Sequence, residues 1–102
     1  MDAPTWLHIA YEHFRANRLK DAEHACRESV RLDPNYARVR EYLGEAYVIK
    51  GDLPDAKYQL AKIRAICGNA ACEEYEHLAE AITDGPSACG SRYAAKRCGS
   101  GG

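Results

Sequence analysis

Residues 37–70, ARVREYLGEAYVIKGDLPDAKYQLAKIRAICGNA, decide the fold, because residues 3–36, APTWLHIAYEHFRANRLKDAEHACRESVRLDPNY, carry the same chemistry at a shift of 34. Ile9 returns as Leu43, Ala10 as Gly44, His13 as Tyr47, Leu19 as Leu53, Asp21 as Asp55, Ala22 as Ala56, Cys26 as Leu60 and Leu32 as Ile66. A period of this length marks a helix-turn-helix unit that cannot bury its apolar stripe alone and must stack on a copy of itself.

Working outward from this pair gives five helices. Asp2 and Pro4 start the first, over residues 3–16, with Trp6, Ile9, Ala10 and His13 on one face. Asn17 and Arg18 break it. Leu19, Ala22, Cys26, Ser29, Val30 and Leu32 trace a second helix, stopped by Asp33, Pro34 and Asn35. In the second copy Val39, Leu43, Ala46 and Tyr47 form the inner face of helix three, which Gly51 ends in a left-handed conformation. Asp52 is expected to cap helix four, Pro54 fits its first turn, and Leu60, Ile63 and Ile66 run on to Gly68. A fifth helix, residues 71–83, places Tyr75, Leu78, Ala79 and Ile82 on one side of an otherwise acidic surface, as a closing helix should. Residues 85–102 are rich in Gly, Ser, Cys and basic side chains and are expected to be mobile, because they hold too little apolar surface to offset their ordering entropy.

At Leu43, Gly44, Tyr47, Gly51, Asp52 and Ala56, with Trp6, Ala10, Ala22, Asp33 and Pro34 in the first copy, the chain resembles the tetratricopeptide repeat family. It departs from that pattern at His13, Ser29 and Cys67-Gly68. The resemblance implies an all-α solenoid: residues 1–84 as the domain, with repeats at 3–36 and 37–70 and a capping helix at 71–83. Two repeats are few for such a stack, so the chain is expected either to close a longer array or to pair with itself as a homodimer through helix one around Trp6.

The resemblance also implies a non-catalytic scaffold that holds a peptide segment of a partner protein against the first helix of each repeat. Carried over by position, the lining is Leu7, Tyr11, Phe14 and Arg15 from the first copy and Arg38, Glu41, Glu45, Val48 and Ile49 from the second. Tyr11 and Phe14 are the apolar anchors, and the charged members set register. Glu41 and Glu45 would repel the terminal carboxylate that some chaperone-binding relatives clamp.

Charge excludes one class of partner. Residues 1–84 hold 11 basic and 15 acidic side chains, with Arg92, Lys96 and Arg97 beyond them, so the body has no dense basic face for nucleic acid. No apolar run reaches the roughly 18 residues of a membrane span, and the start has no signal-peptide pattern, so no membrane insertion is expected.

Cys26 lies on the packing face of helix two and reads as a small buried hydrophobe. Cys67 and Cys72 flank a turn that can bring them to disulfide distance, and Cys89 and Cys98 form a second possible pair. The run from Cys67-Gly68 to Cys72-Glu73-Glu74-Tyr75 further resembles the close of a bacterial group of these repeat proteins. Oxidised pairs would place the chain in the periplasm or cell envelope; reduced ones would place it in the cytoplasm. The alternative is a metal- or redox-responsive module built on these four cysteines, although their spacing fits no common zinc site. No C-x-x-C, H-E-x-x-H or phosphate-cradling glycine loop is present, so neither an enzyme nor a bound cofactor is expected.

Overall fold

A computed structural model describes residues 1–69 and 72–85, and all of its described secondary structure is helical. The elements are α1 (Ala3–Arg15), α2 (Leu19–Leu32), α3 (Ala37–Lys50), α4 (Leu53–Cys67) and α5 (Glu73–Asp84). The first helices of the two copies start at Ala3 and Ala37, and the second at Leu19 and Leu53, so the helix starts keep the shift of 34 found in the sequence. α5 begins at Glu73, with Cys72 as its N-cap, slightly later than the expected residue 71.

Each hairpin turns by the same device. The Arg18 N–H donates to the His13 carbonyl (2.8 Å) and the Asn17 N–H to that of Phe14 (3.0 Å). In the second copy Asp52 donates to Tyr47 (2.8 Å) and Gly51 to Val48 (3.0 Å). These paired bonds close the orphan carbonyls of α1 and α3 and require a left-handed residue between helix and turn. Gly51 takes that conformation at φ 87°, and Asn17 takes it at φ 61°, which asparagine tolerates better than most side chains. Asp52 stands at the N-cap of α4 as expected, but its side chain makes no capping hydrogen bond; Oδ2 lies 3.7 Å from Lys50 Nζ instead. Asp2 does cap α1, accepting from the Thr5 N–H at 3.0 Å and the Thr5 hydroxyl at 2.6 Å.

Such short turns return the second helix of each hairpin along the first. The buried Ser29 hydroxyl, near the end of α2, donates to the carbonyl of Ala3 at the start of α1 (2.9 Å). Its counterpart in the second copy, Ile63, is equally buried and purely apolar. Ala10 and Ala22 in the first copy and Ala56 in the second are fully buried, and Gly44 lies against Leu78 of α5.

α3 departs from the sequence reading. Its apolar spacing predicts one inner face, yet every residue from Val39 to Val48 is buried, Arg40, Glu41 and Glu45 included. The reason is position: α3 is the central helix, packed by α1, α2, α4 and α5. A helix enclosed on all sides no longer has a solvent face for its polar residues. The charged residues inside therefore need partners. Arg40 donates from Nε to the Pro34 carbonyl (2.8 Å) and from Nη1 to Gln59 Oε1 (2.9 Å), tying the α2–α3 turn to α4. Glu41 Oε2 lies 3.2 Å from His77 Nδ1 on α5.

The two hairpins are joined by a charged bridge as well as by apolar packing. Glu23 on α2, 6% exposed, contacts Arg27 Nη2 at 2.6 Å and Lys50 Nζ at 2.8 Å. Arg27 also donates to the Tyr47 hydroxyl from Nη2 (3.0 Å). The hydrogen bond to Glu23 holds the Lys50 ammonium above the ordinary lysine range.

Candidate functional site

α1 lies at the end of the helical stack, packed on α2 and only lightly on α3. Among the described residues no helix covers the side chains on its outer surface. Pro4, Leu7, His8 and Tyr11 from α1, together with Tyr42 from α3, line a recess of 390 Å³. Tyr11 is exposed and its ring centroid lies 6.3 Å from that of Tyr42. The Arg15 guanidinium is 5.8 Å from the Tyr11 ring centroid, a cation–π arrangement that leaves a cation at the rim. The recess thus offers two aromatic rings, two aliphatic side chains and an imidazole, with Arg15 at its rim 4.0 Å from the Glu12 carboxylate.

The residues expected to line a groove divide sharply. Leu7 and Tyr11 line the recess, and Arg15 stands exposed beside them. Phe14 does not line it: the side chain is 7% exposed and its ring meets Tyr42 edge-on at 6.0 Å inside the core. Glu41, Glu45 and Val48 are also buried, at 0%, 2% and 2% exposed, because α5 and the neighbouring helices cover α3. Arg38 is half-buried with Nη2 3.6 Å from Glu74 Oε2 on α5, and Ile49 is half-buried near the end of α3. The second copy therefore contributes packing where the first contributes surface.

Pro4, His8 and Tyr42 are the members that sequence reasoning missed. His8 and Tyr42 occupy equivalent positions in the two copies, 34 residues apart, so the repeat alignment itself carried the signal for that pair. Trp6, expected to be a self-association contact, is half-buried and lies edge-on to His24 of α2 at 5.9 Å.

Cys67 and Cys72 are joined by a disulfide with α-carbons 6.2 Å apart, which links the end of α4 to the start of α5. Their sulfurs and a Glu74 carboxylate oxygen lie within 4.8 Å of one another, the one grouping of metal-ligand type among the described residues. Cys89 and Cys98 fall outside the described residues. Cys26 is fully buried, and burial pushes its thiol well above the ordinary range, so it is inert as a nucleophile. No described helix is long and apolar enough to cross a membrane.

Comparison of the chain with protein-family models, with curated proteins and with solved structures found no match.

Proposed function

We propose that the protein is a tetratricopeptide-type scaffold that docks a segment of another protein through the α1 side of the stack. The observation that carries this reading is the recess of Leu7, His8, Tyr11 and Tyr42, where an exposed aromatic ring stands on a rigid helix with a second ring behind it. Rigid aromatic anchors give large contact area at small entropic cost. The 34-residue recurrence of small and large residues supports the family assignment, and the helix starts that keep this spacing fit it.

The occupant suited to the recess is a short peptide with one apolar side chain for the ring pair. Peptides selected from a display library on the immobilised protein test this. Peptides that bind the wild type should lose binding to a Leu7→Ala, Tyr11→Ala variant whose helicity is unchanged. Retained affinity, or no enrichment at all, would remove the recess from consideration.

A second reading, a redox- or metal-responsive module, draws on the proximity of Glu74 to the Cys67 and Cys72 sulfurs. Thiol counting with and without reductant, alongside a zinc assay of the reduced protein, separates the two. Stoichiometric zinc in the reduced form favours the module, and its absence favours the scaffold.

A further inference from the structure

Arg40 is a charged side chain that the fold buries without giving it an opposite charge. It is 8% exposed, and its two bonds go to neutral acceptors, the Pro34 carbonyl and the Gln59 side-chain amide. Among the described residues no carboxylate pairs with it, and Nη2, which makes no hydrogen bond there, stays open to the solvent of the recess. A guanidinium withdrawn from water normally recovers its solvation from a counter-charge. Here the backbone and amide bonds fix the plane of the group while its charge remains uncompensated.

The surroundings of Arg40 form a second recess, of 230 Å³, separate from the one on α1. It lies where the α2–α3 turn meets α4, and its lining comprises Pro34, Asn35, Arg40, Lys62, Ala65 and Ile66. Lys62 has no ion-pair partner among the described residues; its ammonium lies 5.3 Å from the Tyr58 ring centroid on the same helix. Two acids adjoin the lining residues in sequence: Asp33, beside Pro34, accepts from the Asn35 N–H through Oδ1 at 3.2 Å, and Glu41, beside Arg40, has Oε2 3.2 Å from His77 Nδ1 on α5. The recess therefore brings together two cations and an asparagine side chain, with no anion supplied by the described residues.

From this arrangement we infer that the recess binds a phosphate group, free or as a phosphomonoester. Two cations match a dianion, and a phosphate monoester carries about −1.5 to −2 at neutral pH, whereas a single carboxylate would neutralise only one of them. An orientation-fixed guanidinium is suited to oxyanions, and Lys62 adds a mobile point charge at the rim. The site is independent of the proposed peptide recess, since it shares no residue with it.

The test is a titration of isotope-labelled protein followed by NMR at constant ionic strength, with separate arms of inorganic phosphate, O-phosphoserine and acetate. Ionic strength is fixed because diffuse charge effects vary with it. Saturable shifts of the Arg40 Nε–H and of the Asn35 and Lys62 amides are expected with phosphate, with O-phosphoserine or with both, and the stronger arm identifies the source. Lys62→Gln keeps the Arg40 bonds to Pro34 and Gln59 intact and should weaken binding several-fold, so the outcome does not rest on an Arg40 variant that misfolds. The inference is overturned if neither phosphate arm saturates, if Lys62→Gln leaves the affinity unchanged, or if acetate binds as tightly as phosphate.

Discussion

Leu78 on the closing helix rests against the bare α-carbon of Gly44 on the central helix. A Cβ added to Gly44 would collide with Leu78 Cδ2 and lie 2.7 Å from Cδ1, closer than real contacts of this kind, and 3.1 Å from Cγ, tighter than most. Leu78 is itself fully buried, so it has little room to retreat. The absence of a side chain at position 44 is what lets α5 settle on α3.

Gly44→Ala should therefore destabilise the protein even though alanine gains about 1 kcal/mol in helix propensity. Gly44→Leu should cost about 1–3 kcal/mol or more by overpacking. Leu78→Ala alone should lose about 2–5 kcal/mol, while the Gly44→Ala, Leu78→Ala double variant should be more stable than the two single losses predict together. Urea unfolding of the four proteins measures the coupling. Additive losses would show that position 44 does not meet Leu78.

Glu23 holds two cations at once, and one of them, Lys50, comes from the second hairpin. Its replacement by Gln should lower stability by about 1.5–3 kcal/mol, the range for hydrogen bonds to charged groups. Lys50→Met should cost less, because Arg27 continues to pair with the carboxylate. If denaturant midpoints rank the other way, the bridge between hairpins depends on Lys50 rather than on Glu23.

Reduction of the Cys67–Cys72 bond, or Cys67→Ser with Cys72→Ser, should lower stability by about 2 kcal/mol, as expected for a short closed loop. The bond joins α4 to α5, so amide exchange should quicken in α5 before it quickens in α1 or α2. Uniform acceleration across all helices would mean that the closing helix opens only with the whole fold.

The Asp2 cap sets an acid limit for α1. Its hydrogen bonds to Thr5 hold the carboxyl below the ordinary aspartate value, so its contribution is present above the unfolded pKa and fades as pH falls through the folded one. Asp2→Asn keeps a capping acceptor that does not titrate. The wild type should lose stability relative to this variant as pH falls below about 4. A pH-independent difference between them would show that the Asp2 charge contributes nothing.

Five helices, their turns and their order were legible in the sequence, because helix starts, proline stops and left-handed caps are local signals. Asn17 and Gly51, at matching positions of the two copies, illustrate how little tertiary information those turns need. The Cys67–Cys72 pair was legible as a candidate, since a turn across five residues can close the distance, and the structure joins the two. The surface was not. The repeat pattern treats Tyr11 and Glu45, or Phe14 and Val48, as equivalents, but Tyr11 is exposed and Glu45 is 2% exposed. Which copy offers a surface depends on which helix has neighbours on all sides, and that is settled only when α5 covers α3. α4, packed against the α2–α3 turn, brings Arg40 into one recess with Lys62, 22 positions away along the chain. Periodicity of the chain determined the elements; the order in which they stack decided which side chains remain accessible to a ligand.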